Sequence, residues 1–121
     1  MEISARKVNG ITVFDLVGDV ILGKPLEALR ARLYEEIGGG AKRFVVNLKR
    51  VTYIDSSGAG TIMAVHTAAL SAGGGCNFCG APERVMSILR VARLEKGLNL
   101  FLDEASALSA FSGQSSPPGS R

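Results

Sequence analysis

Apolar positions along the chain switch between strand and helix spacing. Ile3 to Val8 and Ile11 to Val17 read as strands, the second rich in β-branched and aromatic residues. They flank Asn9-Gly10, a pair suited to a two-residue type I′ hairpin turn, where both positions need positive φ. After Gly18-Asp19-Val20-Ile21-Leu22-Gly23 the period lengthens. Leu26, Leu29, Leu33 and Ile37 recur at helical spacing, with Arg30, Arg32, Glu35 and Glu36 between them. Pro25 suits the first turn of that helix, and Gly38-Gly39-Gly40 ends it. Phe44 to Leu48 predicts a strand buried on both faces.

Val51-Thr52-Tyr53-Ile54 leads to a second predicted helix, from about Gly58 to Ser71, with Ile62, Val65 and Ala69 on one stripe and Met63 and Leu70 beside it. Gly73-Gly74-Gly75 closes it, and Cys76 to Gly80 is a short strand. Pro82-Glu83 opens a third helix carrying Val85, Ile88, Leu89 and Ala92, expected to end near Gly97. Leu98 to Leu102 is a last strand, after which Asp103 caps a short helix with Leu108 and Phe111 inward. The order ββαβαβαβα predicts an α/β fold: a mostly parallel sheet with an N-terminal hairpin, right-handed crossovers, and helices packed on the sheet.

At 121 residues this is one domain, over residues 1–111; residues 112–121, dominated by Ser, Gly and Pro, are expected to form a disordered tail. Apolar residues make up 46% and charged residues 21%, which excludes disorder for the body of the chain. The net charge is +3, from 14 Lys plus Arg against 11 Asp plus Glu, but the cations are scattered as singles and pairs. A nucleic-acid binder gathers them on a face, so no nucleic-acid partner is expected. No secretory leader is visible at Met1-Glu2-Ile3-Ser4. The uncharged stretch from Ser56 to Pro82 is broken by Ser71 and the glycines, too soon for a membrane span of about 20 apolar residues. No membrane insertion and a cytoplasmic location are therefore expected.

Cys76 and Cys79 form a Cys-x-x-Cys, but residues three apart on a strand point to opposite faces, which suits neither a bridge nor a shared metal. Zinc needs about four ligands, and His66 is the only histidine. That histidine lies mid-helix among Ala and Val, where it reads as a packing residue. No serine or cysteine has a base beside it in the pattern, and no phosphate-loop or dinucleotide motif is present. The chain is not expected to be an enzyme, to hold a metal, or to need a cofactor.

One stretch stands apart: Asp55-Ser56-Ser57-Gly58-Ala59-Gly60, at the junction of a buried strand and a helix start. One of its polar residues serves as an N-cap, which leaves two unexplained. Free N–H groups and the positive dipole end at a helix N-terminus favour a phosphate, so a serine there can carry a phosphoryl group without unfolding its surroundings.

With Val45-Val46-Asn47-Leu48 and Val51-Thr52-Tyr53-Ile54 before it, this stretch resembles the STAS domain, the family of anti-sigma factor antagonists and of sulfate transporter C-terminal domains. The resemblance runs from Ile3 to Phe111, and Asp55-Ser56-Ser57-Gly58 matches the family's Asp-Ser-Ser/Thr-Gly motif. It implies an interaction switch. Ser56 would be phosphorylated by a partner that is both anti-sigma factor and serine kinase; the unphosphorylated form would bind that partner, and a PP2C-type phosphatase would restore it. ATP and magnesium would belong to the kinase. Asp55, Ser57 and Gly58 would support the site, and Asp19, Ile21, Gly23, Ala59 and Gly60 would meet the partner. The family often carries Gly-Glu-Leu-Asp after its second strand. Here the residues are Gly18-Asp19-Val20-Ile21, so Asp19 takes the Glu position and Ile21 replaces the final acid. That departure keeps a second role open: a scaffold or accessory subunit of a stressosome or of a lipid or anion transport assembly.

Overall fold

A computed structural model describes residues 1–112. The elements run β1 (Glu2–Val8), β2 (Ile11–Val20), α1 (Lys24–Gly38), β3 (Arg43–Ile54), α2 (Ser56–Ser71), β4 (Gly75–Cys79), α3 (Glu83–Val91), β5 (Asn99–Phe101) and α4 (Glu104–Ser109), followed by a 3-10 turn at Ala110–Ser112. The expected order and α/β class hold. Ser112 belongs to that turn, and the rest of the expected tail, residues 113–121, lies outside the described residues.

The strands lie side by side in chain order, β1 antiparallel to β2 and the others parallel. Asn9 and Gly10 both take positive φ, 51° and 82°, as the hairpin turn requires. Because β2 to β5 advance in one direction, crossovers of one hand place α1, α2 and α3 on the same face of the sheet. Phe14, Leu16, Phe44, Val46, Leu48 and Phe78 point into that layer and meet Leu29, Leu33, Ile62, Val65 and Leu89. The alternate residues Val13, Val45 and Cys79 point the other way, where α4 covers them with Ala107. Leu108 and Phe111 are half-buried against this smaller core.

Beyond α4 the second face is polar. Arg6 on β1 is clamped between Asp15 on β2, with contacts of 2.7 and 3.0 Å, and Glu104 on α4. Asn47 on β3 donates to Asp15 at 3.0 Å. The clamp ties three strands to the last helix, and the Arg6 guanidinium holds the Asp15 carboxyl below its ordinary range.

Several extents differ from expectation: β2 runs on from Val17 to Val20, and β5 is shorter, Asn99–Phe101. Strand β3 continues to Ile54, because Val51 and Ile54 are inward while Thr52 and Tyr53 are exposed, keeping one apolar edge through a bulged register. Helix α2 starts two residues early, at Ser56, because Asp55 supplies the cap. Helix α3 stops at Val91 instead of near Gly97. There Arg93 takes the left-handed conformation (φ 59°); its N–H bonds the Arg90 carbonyl at 3.0 Å, and the Leu94 N–H bonds that of Leu89 at 2.9 Å. This is the Schellman geometry usually built with glycine. Leu94 packs on the main core, which offsets the roughly 1 kcal/mol cost of a left-handed side-chain-bearing residue.

Candidate functional site

Helix α2 begins where the C-terminal ends of β2 and β3 open, the end at which parallel sheets place their sites. Asp55 is extended (φ −96°, ψ −178°) and is the N-cap: its Oδ1 accepts from the Gly58 N–H at 2.7 Å. Its second oxygen, Oδ2, accepts from the Leu22 N–H at 3.0 Å. The Asp55 N–H in turn donates to the Val20 carbonyl at 3.3 Å. One residue thus ends β3, starts α2 and holds the segment after β2. The Gly58 amide first, and the Leu22 amide next, keep the Asp55 carboxyl below the usual carboxylate range.

Gly58 is buried, and its identity is dictated by space. A Cβ there would lie 2.0 Å from the Val20 carbonyl oxygen and 2.9 Å from Ile54 Cγ1. The first turn of α2 therefore sits directly on the end of β2. Ser56, the first helical residue, is exposed, while Ser57 is half-buried. Ser56 thus carries its hydroxyl at the outer edge of a fixed helix start, beside amides that favour anions. His66 lies ten positions further along α2, about 15 Å by helical rise, is 8% exposed, and tilts against Phe78 at 6.4 Å. It cannot serve Ser56 as a base.

The expected partner residues divide. Asp19 is exposed, accepts from Thr52 Oγ1 at 2.6 Å, and stands in register with Tyr53. Ile21 is exposed, as is Gly23, which takes φ 141° at the start of α1. Gly60 is also exposed, with open space around it, and borders a groove of about 650 Å³ between α1 and α2 lined by Tyr34, Ile37, Met63 and Ala64. Ala59 is a correction. It is 2% exposed and packs in the main core, since residues three or four apart on α2 share its buried stripe with Ile62. It anchors the helix and presents nothing to a partner.

Sequence reasoning missed Leu22, 75% exposed with its amide bonded to Asp55, and Tyr53, 47% exposed beside Asp19. No side-chain pattern announces a backbone amide as a site component. The two cysteines point to opposite faces, Cys76 into the main core and Cys79 into the smaller one. Burial pushes both thiols up, Cys79 to about 12, so neither is poised as a thiolate. Among the described residues no group of three or more His, Cys, Asp or Glu is placed to hold a metal, and no helix is long and apolar enough to cross a membrane.

The family model described as the STAS domain matches residues 2–107. The chain belongs to the STAS family. No curated protein sequence matches it. Among solved structures it is similar to unphosphorylated SpoIIAA, an anti-sigma factor antagonist, with 22% identity, TM-score 0.77, and coverage of 93% of this chain and 97% of that one. Phosphorylated Bacillus SpoIIAA matches with 19% identity, TM-score 0.70, and coverage of 91% and 99%. An anti-sigma factor antagonist from Mycobacterium paratuberculosis matches with 16% identity, TM-score 0.76, and coverage of 90% and 92%. A sulfate transporter family protein from Wolinella succinogenes matches with 17% identity, TM-score 0.69, and 87% coverage of both chains. At these identities the likeness establishes the shared STAS fold.

Proposed function

We infer that this STAS chain is an anti-sigma factor antagonist: a cytoplasmic, non-catalytic interaction module of bacterial transcription control, switched by phosphorylation of Ser56. Its partners are an anti-sigma factor with serine-kinase activity, which it binds when Ser56 is unmodified, and a PP2C-type phosphatase that resets it. The observation that carries this reading is the exposed Ser56 at the first position of a helix whose start is held by Asp55 and Gly58. A phosphoryl group there meets the positive end of α2 and leaves the core untouched, so it changes recognition and spares the fold. Similarity to SpoIIAA in both phosphorylated and unphosphorylated forms supports the same idea. Exposed Ile21, in place of the family's acid, favours a second reading as a scaffold or accessory subunit of a stressosome or transport assembly.

The test is incubation with the anti-sigma factor kinase of the same genome and ATP, followed by mass-spectrometric mapping. Label is expected on Ser56 and absent in Ser56→Ala, which still binds the kinase. Ser56→Asp is expected to stay folded and to bind at least tenfold more weakly, about 1.4 kcal/mol, because the contact gains a charge that must be desolvated. Label on Ser57 moves the site by one residue. No label on either serine, together with full-strength binding by Ser56→Asp, refutes the phospho-switch and leaves the scaffold reading.

A further inference from the structure

Leu22 combines an exposed apolar side chain with a backbone held from outside its own element. Its side chain is 75% exposed, with Ile21 at 40% beside it, yet its backbone is tied down. The Leu22 N–H donates to Asp55 Oδ2 at 3.0 Å, and the next residue, Gly23, turns the chain sharply into α1 with φ 141°. An exposed apolar side chain on a pinned backbone is presented to the outside at little ordering cost when something binds it. The pin belongs to the residue directly before Ser56. Asp55 divides its two oxygens between two amides of different elements, Gly58 in the first turn of α2 and Leu22 after β2.

The geometry points to Asp55 as a positioning residue that couples the charge state of Ser56 to the segment Ile21–Gly23, so that an anion on Ser56 releases Leu22 from its fixed position. This rests on the Ser56 reading and names the way the same site is regulated. A phosphoryl group places about −1.5 to −2 charges next to the Asp55 carboxylate, and two anions then share one helix start. The carboxylate gives up the weaker of its two bonds. That is the bond to Leu22, which is longer (3.0 against 2.7 Å) and lies on the exposed side, whereas the bond to Gly58 is part-buried and is reinforced by the helix end. Release frees the exposed Ile21–Leu22 pair, which then must be ordered again before a partner can use it.

The experiment needs no partner. Backbone amide hydrogen exchange is followed by NMR in the parent chain and in Asp55→Asn, Ser56→Glu and Ser56→Asp, with circular dichroism as the check on folding. Asparagine is as good an N-cap as aspartate but has one acceptor oxygen, so Asp55→Asn keeps the Gly58 bond and drops the Leu22 bond. The expected result is a protected Leu22 amide in the parent and exchange at least tenfold faster in Asp55→Asn and in both anionic Ser56 variants, with Gly58 protected throughout. If Ser56→Glu does not fold, Ser56→Asp carries the same comparison. An unprotected Leu22 amide in the parent overturns the tether. Faster exchange in Asp55→Asn with no change in the anionic Ser56 variants overturns the coupling. Neither result depends on whether a kinase modifies Ser56, so failure here is separable from failure of the phospho-switch.

Discussion

Helices α2 and α4 start in the same way and differ in what surrounds the start. Each is capped by an aspartate in extended conformation that accepts from the amide three residues on: Asp55 from Gly58 at 2.7 Å, and Asp103 from Ser106 at 2.8 Å. Local hydrogen bonding therefore does not distinguish them. In α2 the third position is a buried glycine set against the Val20 carbonyl, and the cap's second oxygen reaches across to Leu22. In α4 the third position is an exposed serine, and the helix is six residues long. An N-cap alone makes a helix start. Close approach of a second element turns that start into a rigid platform.

The largest contrast is expected at those third positions. Gly58→Ala forces a methyl group to within 2.0 Å of a backbone oxygen, so the β2 end or α2 must move. Overpacking of this kind costs about 3 kcal/mol, against roughly 1 kcal/mol regained in helix propensity, for a net loss of about 2 kcal/mol in urea unfolding. Ser106 is exposed and its side chain meets nothing buried beyond the Asp103 carboxyl, so Ser106→Ala should stay within about 0.5 kcal/mol of the parent. Equal effects at the two positions would dissolve the comparison.

Removal of the caps comes next. Asp55→Ala loses two amide bonds across two elements and Asp103→Ala loses one within a single turn, so Asp55→Ala is expected to lower the melting temperature more. The reverse ranking would mean that the Leu22 bond contributes nothing to stability.

The smallest effect is in pH dependence. Backbone amides hold both cap carboxyls below their ordinary value of 3.8, at Asp55 mainly that of Gly58 and at Asp103 that of Ser106. A folded-state value below the unfolded one means that the stabilisation is complete above about pH 4 and is lost as pH falls through the depressed values. Melting temperature should therefore decline on acidification, and less steeply in the double variant Asp55→Asn, Asp103→Asn. Asp15 and Glu36, held down by Arg6 and Lys7, keep part of the slope in that variant. Identical slopes in parent and double variant would show that the caps do not titrate in this way.

The order of elements and the mostly parallel sheet with its opening hairpin were legible because they follow from local rules: runs of β-branched and aromatic residues, apolar residues three and four apart, and Asn9-Gly10 in its turn. Helix ends show where such rules stop. Helices α1 and α2 end in Schellman turns with glycine in the left-handed position, Gly40 and Gly73, and both were read correctly. Helix α3 ends in the same turn with Arg93 there, a residue with no intrinsic preference for it. Burial of Leu94 on the core decides that ending, and such contacts exist only once the layers have assembled. The site divides along the same line. The motif from Asp55 to Gly60 was visible as a run of polar and small residues, including the exposed serine that carries the proposed switch. Burial of Ala59, the fit of Gly58 against Val20 and the bond from Leu22 to Asp55 were not visible. Each joins the end of β2 or the segment after it to the start of α2, more than thirty positions away, or sets which side of a helix the sheet covers, and the packing of the helix on the sheet determines both.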